Sequence, residues 1–132
     1  MAVSFGGRLA PLRDRIRTLL SDPAFRYPGT ETPTEEMREI VLGWTRRLAD
    51  HGVGAVALPE YAGGHDDHEG FIATLETIAY HDLSLTIKFG VQFGLFAGAI
   101  RALGSDAQKR TYLADAGSLA LLGCFAMTER GH

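Results

Sequence analysis

Thr128-Glu129-Arg130-Gly131-His132 places a hydroxyl, a carboxylate, a guanidinium, a glycine and an imidazole at consecutive positions. They follow Leu119 to Met127, a continuous run of small and apolar residues without helical polar spacing, of the length of a buried strand. Polar groups at a strand end, followed by glycine, commonly hold a ligand through hydroxyl and backbone groups. The same pattern serves an ordinary strand-end turn, and the residue types alone leave both readings open.

Other residues could carry chemistry. Gly90, Gly94 and Gly98 recur at four-residue spacing inside an apolar stretch that reads as helix. A glycine in a helix interior costs about 0.5–1 kcal/mol relative to alanine, so something must approach that face closely. Close helix–helix packing is the simpler explanation; a groove for a slender apolar ligand is the functional one, and Lys88 and Gln92, which interrupt the apolar surface, favour a site edge slightly. His65-Asp66-Asp67-His68 resembles a set of metal ligands, but no second cluster accompanies it. Acidic residues at a helix start have a simpler task against the helix dipole, and we expect no metal. His81 and Asp82 suit capping. Cys124, with no basic residue just before it, reads as a small buried hydrophobe on the strand rather than a nucleophile.

The elements that must position these residues are helices. Leu9, Leu12, Ile16, Leu19 and Leu20 predict a first helix over Leu9 to Leu20, broken by Asp22-Pro23 and Tyr27-Pro28-Gly29. Thr32-Pro33-Thr34-Glu35 has the form of a capping box with proline at the first helical position. Met37, Ile40, Val41, Trp44 and Leu48 then form one stripe, and Gly52 is placed to end the helix. A third helix is expected from about Asp67 to His81, and a fourth from about Ser84 to Leu103. The fifth starts at the Ser105/Gln108 capping box, buries Leu113 and Ala114, and ends near Gly117. This predicts a mainly α fold: a helical domain over 1–117, then 118–132 as the first strand of a β-domain. A lone strand exposes unpaired N–H and C=O groups, so its partners are expected outside this sequence.

Composition narrows the function classes. The 132 residues fit one domain; 45% are hydrophobic and 22% charged, a globular mix. The net charge of −3 is interspersed, with no basic run to track phosphates, so nucleic acid is not an expected partner. A single cysteine excludes an internal disulfide and suits a reducing compartment. The most apolar stretch, Phe89 to Ile100, falls short of the ~20 residues of a membrane span. The first twenty residues lack a signal-peptide core. These features lead us to expect a cytoplasmic protein.

Four motifs in order carry a resemblance that covers nearly the whole chain. Leu58-Pro59-Glu60-Tyr61-Ala62-Gly63-Gly64, Ser84 to Gln92, Leu103 to Lys109 with Tyr112-Leu113, and Gly123-Cys124-Phe125-Ala126-Met127-Thr128-Glu129 together resemble the N-terminal domain of the acyl-CoA dehydrogenase and oxidase superfamily. After the glutamate, Arg130-Gly131-His132 stands where dehydrogenases usually have Pro-Gly-Ala, and the Gly-His pair looks closer to the oxidases. The resemblance implies a helical domain followed by a β-domain and a four-helix domain. It implies FAD as cofactor, an acyl-CoA thioester as substrate and homo-oligomers as the assembled form. It implies α-proton removal by a glutamate of the C-terminal domain, outside this sequence, so no residue here is the catalytic base. By the same resemblance Phe125, Ala126, Met127 and Thr128 would run past the flavin. Glu129, Gly131 and His132 would begin the loop beside flavin and thioester, and the helix with Gly90 and Gly94 would border the acyl channel. The reading is thus a fragment of an FAD-dependent acyl-CoA oxidoreductase, inactive by itself, its remaining domains supplied downstream or by a split partner chain. The alternatives are a non-catalytic helical interaction module and a carrier of small apolar ligands.

Overall fold

The computed structural model describes residues 7–128 together with 130 and 131. A short 3-10 turn leads into α1 (Ala10–Leu20), and α2 spans Thr34–Asp50. Two further 3-10 turns, Val53–Ala55 and Glu60–Ala62, connect α2 to α3 (His68–Ala79). One continuous helix then runs from Leu83 to Leu103. It is α-helical at both ends, α4 (Leu83–Phe89) and α5 (Ala97–Leu103), with a π-helical segment, Gly90–Phe96, between them. The last helix, α6, is Asp106–Gly117. With the composite helix taken as one, these are the five expected helices.

The main core forms where these helices meet. Ile16, Leu48, Ile78, Leu85 and Phe89 are fully buried. Phe25, Trp44 and His81 pack edge to face near it; the indole N–H donates to the Ala24 carbonyl at 2.6 Å, and the His81 Nε2 meets the Phe25 carbonyl at 2.9 Å. Buried Thr45, Thr74 and Thr77 each donate their hydroxyl to the carbonyl four residues back, so no lone hydroxyl is left in the core. A second, smaller cluster of Ala55, Leu58, Ala62, Ala97, Leu113 and Ala116 joins the 3-10 turns to α5 and α6.

The π segment has a cause in the four-residue repeat Leu85, Phe89, Phe93, Ala97, all buried. Residues four apart on an α-helix drift by about 40° per step, since four times 100° exceeds one turn. The wider π turn takes up that drift and keeps the whole repeat on the core. The helix is 21 residues long, with an 18-residue window of mean hydropathy 1.5, long and apolar enough to cross a membrane by length and composition. The stretch Phe89 to Ile100 is only the apolar centre of this longer helix. The buried repeat is used here as one side of the domain core.

Several caps match expectation. Asp67 accepts from the Gly70 N–H at 2.9 Å and Asp82 from the Leu85 N–H at 2.7 Å. Ser105 and Gln108 form the reciprocal capping box. Gly52 adopts φ 74° after α2. The Thr32 capping box does not form. Pro33 is extended (ψ 144°) and is itself the N-cap, its carbonyl accepting from Met37 N–H at 2.9 Å. Thr32 therefore stands one residue too early, and Glu35 pairs with Arg38 at 2.6 Å instead. In α6 the buried alanine is Ala116, while Ala114 faces solvent.

No strand forms among the described residues, and 122–128 carry no regular secondary structure. A strand exists through the ladder it shares with a neighbour, and no neighbouring strand is present here. Cys124 is accordingly exposed, not a buried strand residue.

Candidate functional site

The site is built where the chain leaves α6. After the C-cap Ser118, Leu119 takes φ 61°, a left-handed conformation that a bulky side chain adopts only under constraint. The constraint is its burial in the main core. The Leu121 N–H returns to the Asp115 carbonyl at 3.0 Å. The chain is thereby turned back across the π segment of the long helix.

There it meets Gln92, which is 2% exposed. Its Nε2 donates to the Ala116 carbonyl at 3.1 Å and to the Leu121 carbonyl at 2.9 Å. Its Oε1 accepts from the Gly123 N–H at 3.0 Å. One side-chain amide thus joins the long helix, the end of α6 and the exit segment. Gly123 lies on the Phe96 ring so closely that a Cβ there would overlap it. The sequence suggested only that Gln92 borders a site. The signal that could have found its role is an amide set among the aromatic residues Phe89, Phe93 and Phe96 on one helix.

Beyond this anchor the segment is open. Phe125 and Met127 are 43% and 71% exposed, and Ala126 and Thr128 face solvent as well. The backbone groups of 124–128 make no hydrogen bond to another described residue. Arg130 and Gly131 are exposed, Gly131 with φ 95°, while Glu129 and His132 lie outside the described residues.

The glycine stripe is divided. A Cβ on Gly90 would meet Leu75 at 3.7 Å, and one on Gly94 would meet the Phe71 ring at 3.3 Å, so both lie against α3. Close packing accounts for Gly94, whereas the contact at Gly90 is an ordinary van der Waals distance that leaves room for a Cβ. Gly98 has nothing within 4 Å. An open groove of about 520 Å³ lies elsewhere on the long helix, between its start and the start of α2. Met37, Val41, Ile87 and Val91 give it an apolar lining, with Arg38 and Lys88 also bordering it. In the His65 to His68 segment, Asp66 pairs with Arg101 at 3.1 Å and Asp67 caps α3. No group of three potential metal ligands occurs among the described residues.

Comparison with known proteins agrees with this architecture. Residues 12–119 match the family described as "Acyl-CoA dehydrogenase, N-terminal domain". The chain belongs to that family. It is 32% identical over 108 residues to acyl-coenzyme A oxidase 3, peroxisomal, of Arabidopsis thaliana, covering 82% of this chain and 16% of that protein. It is 40% identical over 67 residues to acyl-coenzyme A oxidase 2, peroxisomal, of the same plant, covering 51% of this chain and 10% of that protein. An acyl-coenzyme A oxidase of Kluyveromyces lactis is 42% identical over 65 residues, 47% of this chain and 9% of that protein. The chain therefore spans no more than about a sixth of the length of these relatives. No solved structure matches it significantly.

The exit segment sets uncovered apolar surface beside exposed polar groups. Phe125 and Met127 offer uncovered apolar surface, Thr128 an exposed hydroxyl, and 124–128 offer peptide groups with no partner among the described residues. A flat apolar ring with a polar edge calls for such a combination.

Proposed function

We propose that this chain is the N-terminal part of an FAD-dependent acyl-CoA dehydrogenase or oxidase, which introduces an α,β double bond into acyl-CoA thioesters. The observation that carries the reading is the anchored but uncovered segment Gly123 to Thr128, within a chain whose relatives are acyl-CoA oxidases. FAD, when bound, would supply the hydride-accepting chemistry, as cofactors do in such enzymes. The residues of this chain would bind and orient. Phe125, Ala126 and Met127 would lie along the ring, and Thr128 would hydrogen-bond its edge through hydroxyl or backbone N–H. Glu129, Gly131 and His132 would open the loop beside the thioester. Proton removal would fall to a carboxylate of a downstream domain.

For the acyl chain, the face with Ile87 and Val91 fits better than the glycine stripe, because Gly90 and Gly94 are covered by α3. The groove's Met37, Val41, Ile87 and Val91 lining would give a chain of methylenes apolar contact. The 132 residues alone are expected neither to hold FAD tightly nor to turn over acyl-CoA. Anaerobic titration of the purified chain with an acyl-CoA checks this: bleaching of a bound yellow flavin would overturn it.

A second reading, a non-catalytic interaction module, draws on the exposed Leu83, Ile87, Leu95 and Leu103 of the long helix. The gene sequence after His132 separates the two, since the enzyme reading requires a Gly-Ser pair and a β-domain there. A cytoplasmic site is our reading of the lone cysteine, whereas the two plant relatives are named as peroxisomal. A fluorescent fusion of the natural gene product decides between these compartments.

A further inference from the structure

We propose that Gln92 is the positioning residue of the flavin-facing segment: its buried amide sets where and in which orientation residues 123–128 leave the helical domain. The inference rests on the reading of Phe125 to Thr128 given above, but its structural half is separable from that reading.

The geometry is specific. The Gln92 carboxamide uses both hydrogens of its NH2 group and its carbonyl oxygen at once, on Ala116, Leu121 and Gly123. Those three partners lie on two sides of the left-handed turn at Leu119. The Ala116 bond fixes the amide to the end of α6, and the other two fix the path of the chain beyond it. Two contacts to alternate residues define both a position and a direction, which a single contact does not. Phe96, one turn further along the same helix, is the surface on which Gly123 rests. From Gly123 to Thr128 no other hydrogen bond ties the backbone to a described residue. The Gln92 clasp is therefore the last polar attachment before the residues read as flavin contacts.

The π segment explains why this residue can do it. Gln92 and Phe93 are adjacent, yet each is 2% exposed. Phe93 faces Phe89 and the main core, with ring centroids 4.6 Å apart, while Gln92 faces α6 and the exit segment. The locally altered helical path accommodates both, in keeping with the frequent placement of π-bulges at functional sites.

The test has two arms. In the 132-residue chain, Gln92→Met keeps the length and apolar bulk of the side chain but removes the three bonds. Amide exchange at Gly123 should accelerate by about tenfold, as expected for one lost hydrogen bond, while amides of α2 and α3 keep their protection. Gly123→Ala attacks the clasp from the other side and lies outside every helix. It should displace the chemical shifts of 121–126 even if Gln92→Met perturbs the fold. Unchanged shifts in Gly123→Ala, or unchanged exchange in a folded Gln92→Met, would overturn the clasp.

In the natural gene product carrying its downstream domains, the same two variants should shift the visible flavin absorption bands. They should also speed FAD dissociation by about tenfold, with the melting of the helical domain unaltered in Gly123→Ala. A normal flavin spectrum and normal dissociation in both variants would overturn the positioning role. A gene product that never binds flavin would instead defeat the functional reading, and the exchange arm would still decide the clasp.

Discussion

Gly54 sits where the connection after α2 passes beneath Phe93 and the end of α6. A Cβ there would stand 2.5 Å from the Phe93 ring and 2.8 Å from the Gly117 carbonyl oxygen. The ring is locked in the core beside Phe89, and the carbonyl is backbone, so neither yields easily. Gly54→Ala should therefore lower the unfolding free energy by about 1–3 kcal/mol, as overpacking does, read from urea titration. Gly43, inside α2 with nothing within 4 Å, is the contrasting case. Gly43→Ala should raise stability by about 0.5–1 kcal/mol through helix propensity alone. Both residues are glycines in the sequence, and nothing local separates them. What separates them is the position of an aromatic ring from a segment some forty residues away.

At the scale of elements, helix starts show how far local pattern reaches. Ser105 and Gln108 read as a capping box and form one, because α6 begins immediately after Ser105 with no restriction on the intervening residues. Thr32 and Glu35 have the same spacing, but Pro33 between them adopts the extended conformation and becomes the cap itself. Ser105→Ala should cost about 1 kcal/mol, the usual value of a lost N-cap, whereas Thr32→Ala should cost less than about 0.5 kcal/mol, the range of a surface change. Paired thermal melts measure the difference; equal costs would show that Thr32 caps α2 after all. The long helix teaches the complementary point. Its existence is legible in the periodicity from Ser84 to Leu103, but its π segment is not. The widened turn follows from four-residue repeats that must all reach one core, and periodicity specifies a face without specifying what it meets.

The whole molecule is a helical body with surface left uncovered on its long helix and on its exit segment. Leu83, Ile87, Leu95, Leu103, Phe125 and Met127 are all substantially exposed. Each offers apolar surface to water, and a contiguous patch of such surface would mark a place that meets other protein. The isolated chain should enhance the fluorescence of an apolar dye such as ANS, and a longer gene product carrying the proposed downstream domains should do so markedly less per molecule. Equal enhancement in both would mean that those domains do not cover these residues.

The sequence by itself determined the helices, their order, most of their caps and the family to which the chain belongs. Each of these is written in residues close together along the chain: stripes at helical spacing, Ser105 with Gln108, and the run Gly123 to Glu129. Only the tertiary structure decided which glycines are packed and which are free, that Leu119 to Met127 is no strand without a neighbouring sheet, and that Gln92 holds the exit segment. Those outcomes depend on groups brought together from distant positions, such as Gln92 with Gly123 or Gly94 with Phe71. Close packing and buried hydrogen bonds are properties of such encounters, and no single stretch of sequence contains both partners.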